Sequence, residues 1–156
     1  MADFVYNIAK GRAVQFYINV DGNSPAGAEL VIAVLATSGV EADDTLNNAD
    51  TFSALVAGAT NFVTNSGYAQ KVLAGADLTA YAPDDTNNRV DLDIADQTWT
   101  AVAAGDGWND LVTGYDPVGS QTATDIIPMT NHDFVFTPDG SDITAQIAAA
   151  GFFRAS

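Results

Sequence analysis

The run Glu29 to Thr37, Glu-Leu-Val-Ile-Ala-Val-Leu-Ala-Thr, is apolar at every position from Leu30 to Ala36 and lies between Pro25/Gly27 and Gly39. A short continuous apolar run bounded by turn formers is the pattern of a strand buried on both faces. It is the best core strand in the chain. The acids point the same way. Only Glu29 and Glu41 of the 20 acidic residues are Glu; the other 18 are Asp. Asp disfavours helix interiors and favours turns, where its short carboxylate reaches nearby backbone amides. Asp-Gly occurs at Asp21-Gly22, Asp106-Gly107 and Asp139-Gly140, each between segments rich in β-branched or aromatic residues, which predicts three hairpin-like reversals.

The remaining segments fill in a mainly β, single-domain (1–156), antiparallel β-sandwich-like fold with one or two short helices. Ala13 to Val20 reads as a strand into a turn. Asp50 to Ala57 offers an Asp cap and then Phe52, Leu55 and Val56 at helical spacing. Tyr68, Val72 and Leu73 before Gly75 make a second, weaker helix. Arg89 to Ile94, Trp99 to Val102 and Leu111 to Tyr115 are short strands, Ile126-Ile127 stops at Pro128, and Phe134 to Thr137 with Ile143 to Ile147 make a terminal hairpin. The expected core is Val14, Phe16, Ile18, Val31, Ile32, Val34, Leu35, Phe134, Phe136 and Ile143.

Composition narrows function. A net charge of -15 on 156 residues, over a folded surface of about 7,000 Å² from area scaling, makes nucleic acid and an anionic membrane poor partners. Without cysteine there is no thiolate nucleophile, disulfide framework or zinc ribbon. Met1 to Lys10 has no basic region followed by an apolar core, and no apolar run approaches the roughly 20 residues needed to span a bilayer.

Catalytic equipment is sparse. His132, the one histidine, precedes Asp133, but neighbours on a strand point to opposite faces, and there is no Gly-x-Ser-x-Gly elbow. No catalytic residue is assigned, and the chain is read as not an enzyme. Glycosidase chemistry would need two carboxylates at a fixed gap; Trp99 and Trp108 could wall such a cleft, but nothing selects a carboxylate pair. Asp84, Asp85, Asp91 and Asp93 form a weak Ca²⁺ candidate. Their stretch is dense in oxygen ligands, yet it lacks the EF-hand frame, and the alternative is a solvated acidic edge. No other cofactor is expected.

Charge layout says more. Residues 1–12 carry Asp3 against Lys10 and Arg12, and residues 150–156 carry Arg154 alone; the other 19 acids face only Lys71 and Arg89 in between. Both ends are also apolar, with Phe4, Val5, Tyr6 and Ile8 in one and Phe152 and Phe153 in the other. Such ends are either tucked into the domain's own sheet or laid on a neighbour as interface arms. The interface reading takes Phe4, Tyr6, Arg12, Phe152, Phe153 and Arg154 as contact residues.

Three stretches carry a resemblance: the opening Met-Ala-Asp-Phe-Val-Tyr-Asn-Ile-Ala-Lys-Gly-Arg; Ala82 to Arg89 with Asp96 to Thr100; and His132 to Phe136 with Gly151 to Ser156. In these phrases the chain resembles a family of short virion structural proteins encoded beside head genes in tailed bacteriophages. The likeness spans nearly the whole chain and rests on recurring phrases, since the family brings no catalytic motif. It implies a virion component. A capsid decoration (cement) protein suits a small, acidic, cysteine-free domain with docking ends. The expected partners are the major capsid protein or sister copies, and the expected location is the capsid exterior after synthesis in a bacterial cytoplasm. The alternative is a Ca²⁺-dependent glycan-binding or neck/tail-associated virion protein.

Overall fold

The apolar run forms strand β2 (Glu29–Ala36), with every residue from Leu30 to Ala36 buried. The computed structural model describes residues 2–156, and in it β2 lies inside a five-stranded antiparallel sheet. The order is β1 (Phe4–Val5), β7 (Ile127–Phe136), β6 (Trp108–Asp116), β2, β3 (Lys71–Leu73). Alternation along β2 sends Leu30, Ile32 and Val34 to one face and Val31, Ala33 and Leu35 to the other. Each face needs its own cover. The first is covered by helix α1 (Ala13–Asp21) and by two small antiparallel sheets. These pair β4 (Val90–Leu92) with β9 (Phe153–Ala155) and β5 (Gln97–Trp99) with β8 (Ile143–Ala145). Tyr6, Ile126 and the short helices α2 (Asp43–Leu46) and α3 (Phe52–Leu55) cover the second. The molecule is thus mainly β, antiparallel, sandwich-like and a single domain, as the sequence predicts.

Several local expectations fail. Ala13 to Val20 is helix, not strand: Ala13, Phe16, Tyr17 and Val20 are buried at helical spacing, while Gln15 and Asn19, one turn apart, bond side chain to side chain at 2.8 Å. Burial of one face outweighs the β preference of its aromatic and branched residues. Asp21-Gly22 therefore ends a helix, the Gly22 N–H donating to Ile18 O. Val14 and Ile18 are only half-buried. No terminal hairpin forms, because β8 turns away from β7 to pair with β5, where the Thr98 and Thr144 hydroxyls meet at 2.8 Å. Phe134 is half-buried and Phe136 exposed. Asp106-Gly107 likewise joins strands of different sheets. Strand β7 continues through Pro128, which sits at a register shift against Gly114 and so costs no regular ladder bond. The segment of Val72 and Leu73 is strand β3, and α3 is capped by Thr51, whose Oγ1 accepts from Ala54 N at 3.0 Å, rather than by Asp50.

The aspartates work as turn formers. Asp116 accepts from the backbone N–H groups of Val118, Gly119 and Gln121. Asp139 takes Ser141 N, Asp142 takes Ala101 N and Asp96 takes Ile147 N. The carboxylates thus close loops within and between segments, work that the longer Glu side chain does less well.

Candidate functional site

The two chain ends are strands of the domain itself. Phe4 and Val5 pair with Asn131 and Thr130 on the edge of the main sheet. Phe153, Arg154 and Ala155 pair with Leu92, Asp91 and Val90. Gly151 lets the C-terminal segment come this close. It has φ +77°, and a Cβ there would run into the Leu92 carbonyl oxygen, on which Phe152 N donates at 2.9 Å. The ends are therefore not free arms; they belong to the domain's own sheets.

Between them lies a cleft of about 540 Å³. The N-terminal strand, β7, the end of β8 and the segment Gly151–Arg154 line it. Of the six expected interface residues, Phe152, Phe153 and Arg154 are brought to its walls, while Phe4 borders it with its ring packed against Tyr6 on the other face of the sheet. Tyr6 is not among them. It is fully buried on the other face of the sheet, its hydroxyl donating to Asn131 Oδ1 at 3.4 Å. Arg12 lies elsewhere too, its guanidinium 5.5 Å from the centre of the Phe16 ring.

His132 stands in this cleft, and so does a hydroxyl. Thr130 and His132, two apart on β7, share a face, and His132 Nε2 is 2.8 Å from Thr130 Oγ1. Thr130 Oγ1 in turn meets Thr113 Oγ1 at 2.6 Å. On the far side of the imidazole, Asp3 Oδ2 is 3.7 Å from Nδ1, and Asp3 Oδ1 accepts from Asp133 N at 2.8 Å. Sequence reasoning considered the wrong carboxylate for His132. Asp133 is exposed, and the acid beside the ring comes from the other end of the chain. The Thr-x-His spacing on a strand was the one available signal for Thr130; nothing local announces Asp3. Burial lowers the His132 pKa, outweighing the attraction of Asp3, so the ring is neutral at pH 7.

A carboxylate, an imidazole and a hydroxyl in a row have the order of a hydrolytic triad. The ends of the row fit that role poorly. Thr130 is 1% exposed, with its oxygen held between Thr113 and His132, whereas a nucleophile must face its substrate. The Asp3 side chain is 66% exposed and beyond hydrogen-bond range of the ring, so it orients the imidazole weakly.

The other candidates are placed differently. Trp99 and Trp108 are 1% and 0% exposed, edge to face at 5.2 Å, with their N–H groups on Ala69 O and Asn65 Oδ1. They are core mass and wall no cleft. Of the Ca²⁺ candidates, Asp84 and Asp91 converge, but on arginines. Asp91 Oδ1 is 2.6 Å from Arg154 Nε, and Arg89 Nε lies 3.1 Å from Asp91 and 3.4 Å from Asp84. The bond from Arg154 holds the Asp91 carboxyl below its usual pKa, and Asn87 does the same for Asp84. Asp93 accepts from Ile94 N and Thr79 Oγ1, and Asp85 is exposed. These four are not brought to one point, and no group of three or more His, Cys, Asp or Glu among the described residues is arranged to hold a metal ion. The chain matches no protein-family model, no curated protein and no solved structure.

Proposed function

We propose that this domain is a non-enzymatic virion structural protein of the tailed-bacteriophage kind its sequence resembles. Its role is that of a decoration protein docked on the outside of the capsid. The cleft formed where the two ends meet is its docking site, and the occupant is a segment of the major capsid protein. The observation that carries this reading is the gathering of Phe134, Phe152 and Phe153, with Val5, about one groove on a body with charge -15 and 7236 Å² of surface. Buried aromatic anchors in a pocket supply most of the energy of typical interfaces, and a strongly acidic exterior keeps crowded copies from associating elsewhere. No metal, cofactor, nucleic acid or membrane enters this role.

The test starts with particles from the source that encodes the chain. Mass spectrometry should find the protein in many copies per particle, and Phe152→Ala should lower its occupancy while leaving the domain folded. A protein absent from purified particles sinks the reading.

The row Asp3, His132, Thr130 has the order, though with Thr130 buried not the exposure, that a second reading needs, acyl transfer at Thr130. Turnover of a small activated ester such as p-nitrophenyl acetate, lost in both Thr130→Val and His132→Gln, would establish it in place of the structural role.

A further inference from the structure

Strand β7 is only half covered on its outer side. Strand β1 pairs with Thr130 and Asn131 alone, so beyond Asn131 the strand keeps β6 on one side and, among the described residues, pairs with no strand on the other. The Asp133 N–H is held by the Asp3 carboxylate at 2.8 Å. Among the described residues, Phe134, Val135 and Phe136 make no hydrogen bond outside the pairing of β6 with β7. An open edge is a template for a further strand, and proteins commonly blunt one with charge or proline. Here the edge carries a register shift against β6 between Asp133 and Phe136 and ends in Val135, 72% exposed, and Phe136, 36% exposed. It also runs directly into the cleft, which Asp133 and Phe134 help to line.

We infer that β7 accepts an extended segment of a different polypeptide as an added strand along Asp133–Phe136, with one of its apolar side chains seated in the cleft. The inference rests on the docking role of the cleft and specifies how the partner is held. Strand addition takes its affinity from main-chain bonds and its selectivity from pockets for alternate side chains.

Charge defines the segment. The carboxylates of Asp3 and Asp133 stand at the rim, Arg154 is committed to Asp91, and His132 is neutral at pH 7. The rim is therefore negative, and the segment that fits alternates apolar residues with Lys or Arg. A second copy of this chain would bring Asp133 and another charge of -15 against the same edge, so the occupant is a different chain.

The probe is a fluorescein-labelled peptide alternating Lys and Val over nine residues, followed by anisotropy and by backbone amide shifts of the intact domain. Two controls carry the same charge: a peptide of identical composition with Lys and Val in separate blocks, and the alternating peptide N-methylated at every second residue. The alternating peptide should saturate and shift the amides of Asp133 to Phe136. Both controls should bind about tenfold more weakly or worse, because each loses alignment or several main-chain donors. Val135→Asp should weaken the alternating peptide similarly, and the wild-type amide shifts decide the matter even if that variant folds poorly. Equal binding of all three peptides, no saturation, or shifts away from β7 would overturn the inference. So would a concentration-dependent dimer abolished by Val135→Asp. If Phe152→Ala lowers particle occupancy while Val135→Asp leaves it unchanged, the docking role stands and strand addition falls. If neither changes it, both fall.

Discussion

Replacing Tyr6 with alanine decides whether the N-terminal end is core or arm. The ring is fully buried and meets Phe4 edge-on at 5.1 Å, while its backbone N–H donates to Met129 O at 3.0 Å. Burial, with Asp110 and Asp43 nearby, pushes its phenol pKa far above the usual value, so the hydroxyl stays protonated throughout the working range. Truncating a buried aromatic side chain costs about 3–5 kcal/mol through lost transfer energy and the cavity left behind. A domain of this size holds on the order of 5–15 kcal/mol in all, so Tyr6→Ala should remove a large fraction of it. With a urea slope of about 2 kcal/mol per molar, the midpoint should fall by roughly 2 M. The two buried tryptophans, Trp99 and Trp108, report unfolding by fluorescence. Phe152→Ala is the internal control: its ring is half-buried in the cleft wall, and its cost should be well below that of Tyr6→Ala. A Tyr6→Ala cost under about 1 kcal/mol, or one no larger than that of Phe152→Ala, would mean that the end does not hold the sheet and that the core assignment is wrong.

Three further outcomes follow from single groups. Gly151→Ala forces a side chain onto the Leu92 carbonyl at a left-handed backbone position; it should cost about 1–3 kcal/mol and raise hydrogen exchange in β9 first. His132 has a lowered pKa in the fold, so the unfolded chain binds its proton more readily: stability from this group is present above the unfolded pKa of about 6.5 and is lost as pH falls through the folded value. His132→Gln should flatten that part of a chemical-denaturation pH profile, and an unchanged slope would refute the burial argument. Asp110 works in the opposite sense. Desolvation raises its carboxyl pKa, so its stabilising contribution is complete below the unfolded value and lost as pH rises through the folded one; stability of Asp110→Asn should lack this decline.

What the sequence made legible was the part that depends on local chemistry. The Leu30–Ala36 run declared a strand with both faces covered, and the excess of Asp over Glu declared a chain of turns. Both follow from residue type alone. The failures come where tertiary packing chose between patterns the sequence carried at once. Ala13 to Val20 has enough branched and aromatic residues for a strand and also the spacing of a helix, and the need to cover one face of β2 selected the helix. Ile143 to Ala145 could have closed on β7 but found β5. The site was the least legible part, because its groups come from opposite ends of the chain: Asp3, His132 and Phe152 have no sequence relation that spacing could reveal. The aromatic, weakly basic character of the two ends marked them as unusual. It could not tell that they line one cleft.

If the cleft is the docking site, binding there is linked to folding. A groove whose walls are a two-residue strand at one end of the chain and a three-residue strand at the other is built from the elements with the fewest ladder bonds, which open most readily. A ligand that binds only the closed groove stabilises it by RT ln(1 + [L]/Kd), about 2.7 kcal/mol at a hundredfold excess over Kd. The stabilisation falls first on β1 and β9, since opening either one destroys the site. Arg154 is placed to report this. It is exposed, and its bond to Asp91 spans 63 positions of sequence. A pair in water holds too weakly to lock the end alone, so the end stays responsive to what fills the cleft. A domain that needed its ends only for stability would gain from burying them completely. Leaving Phe134, Phe152 and Phe153 half-exposed around a cleft has a physical rationale when a partner supplies the remaining contact.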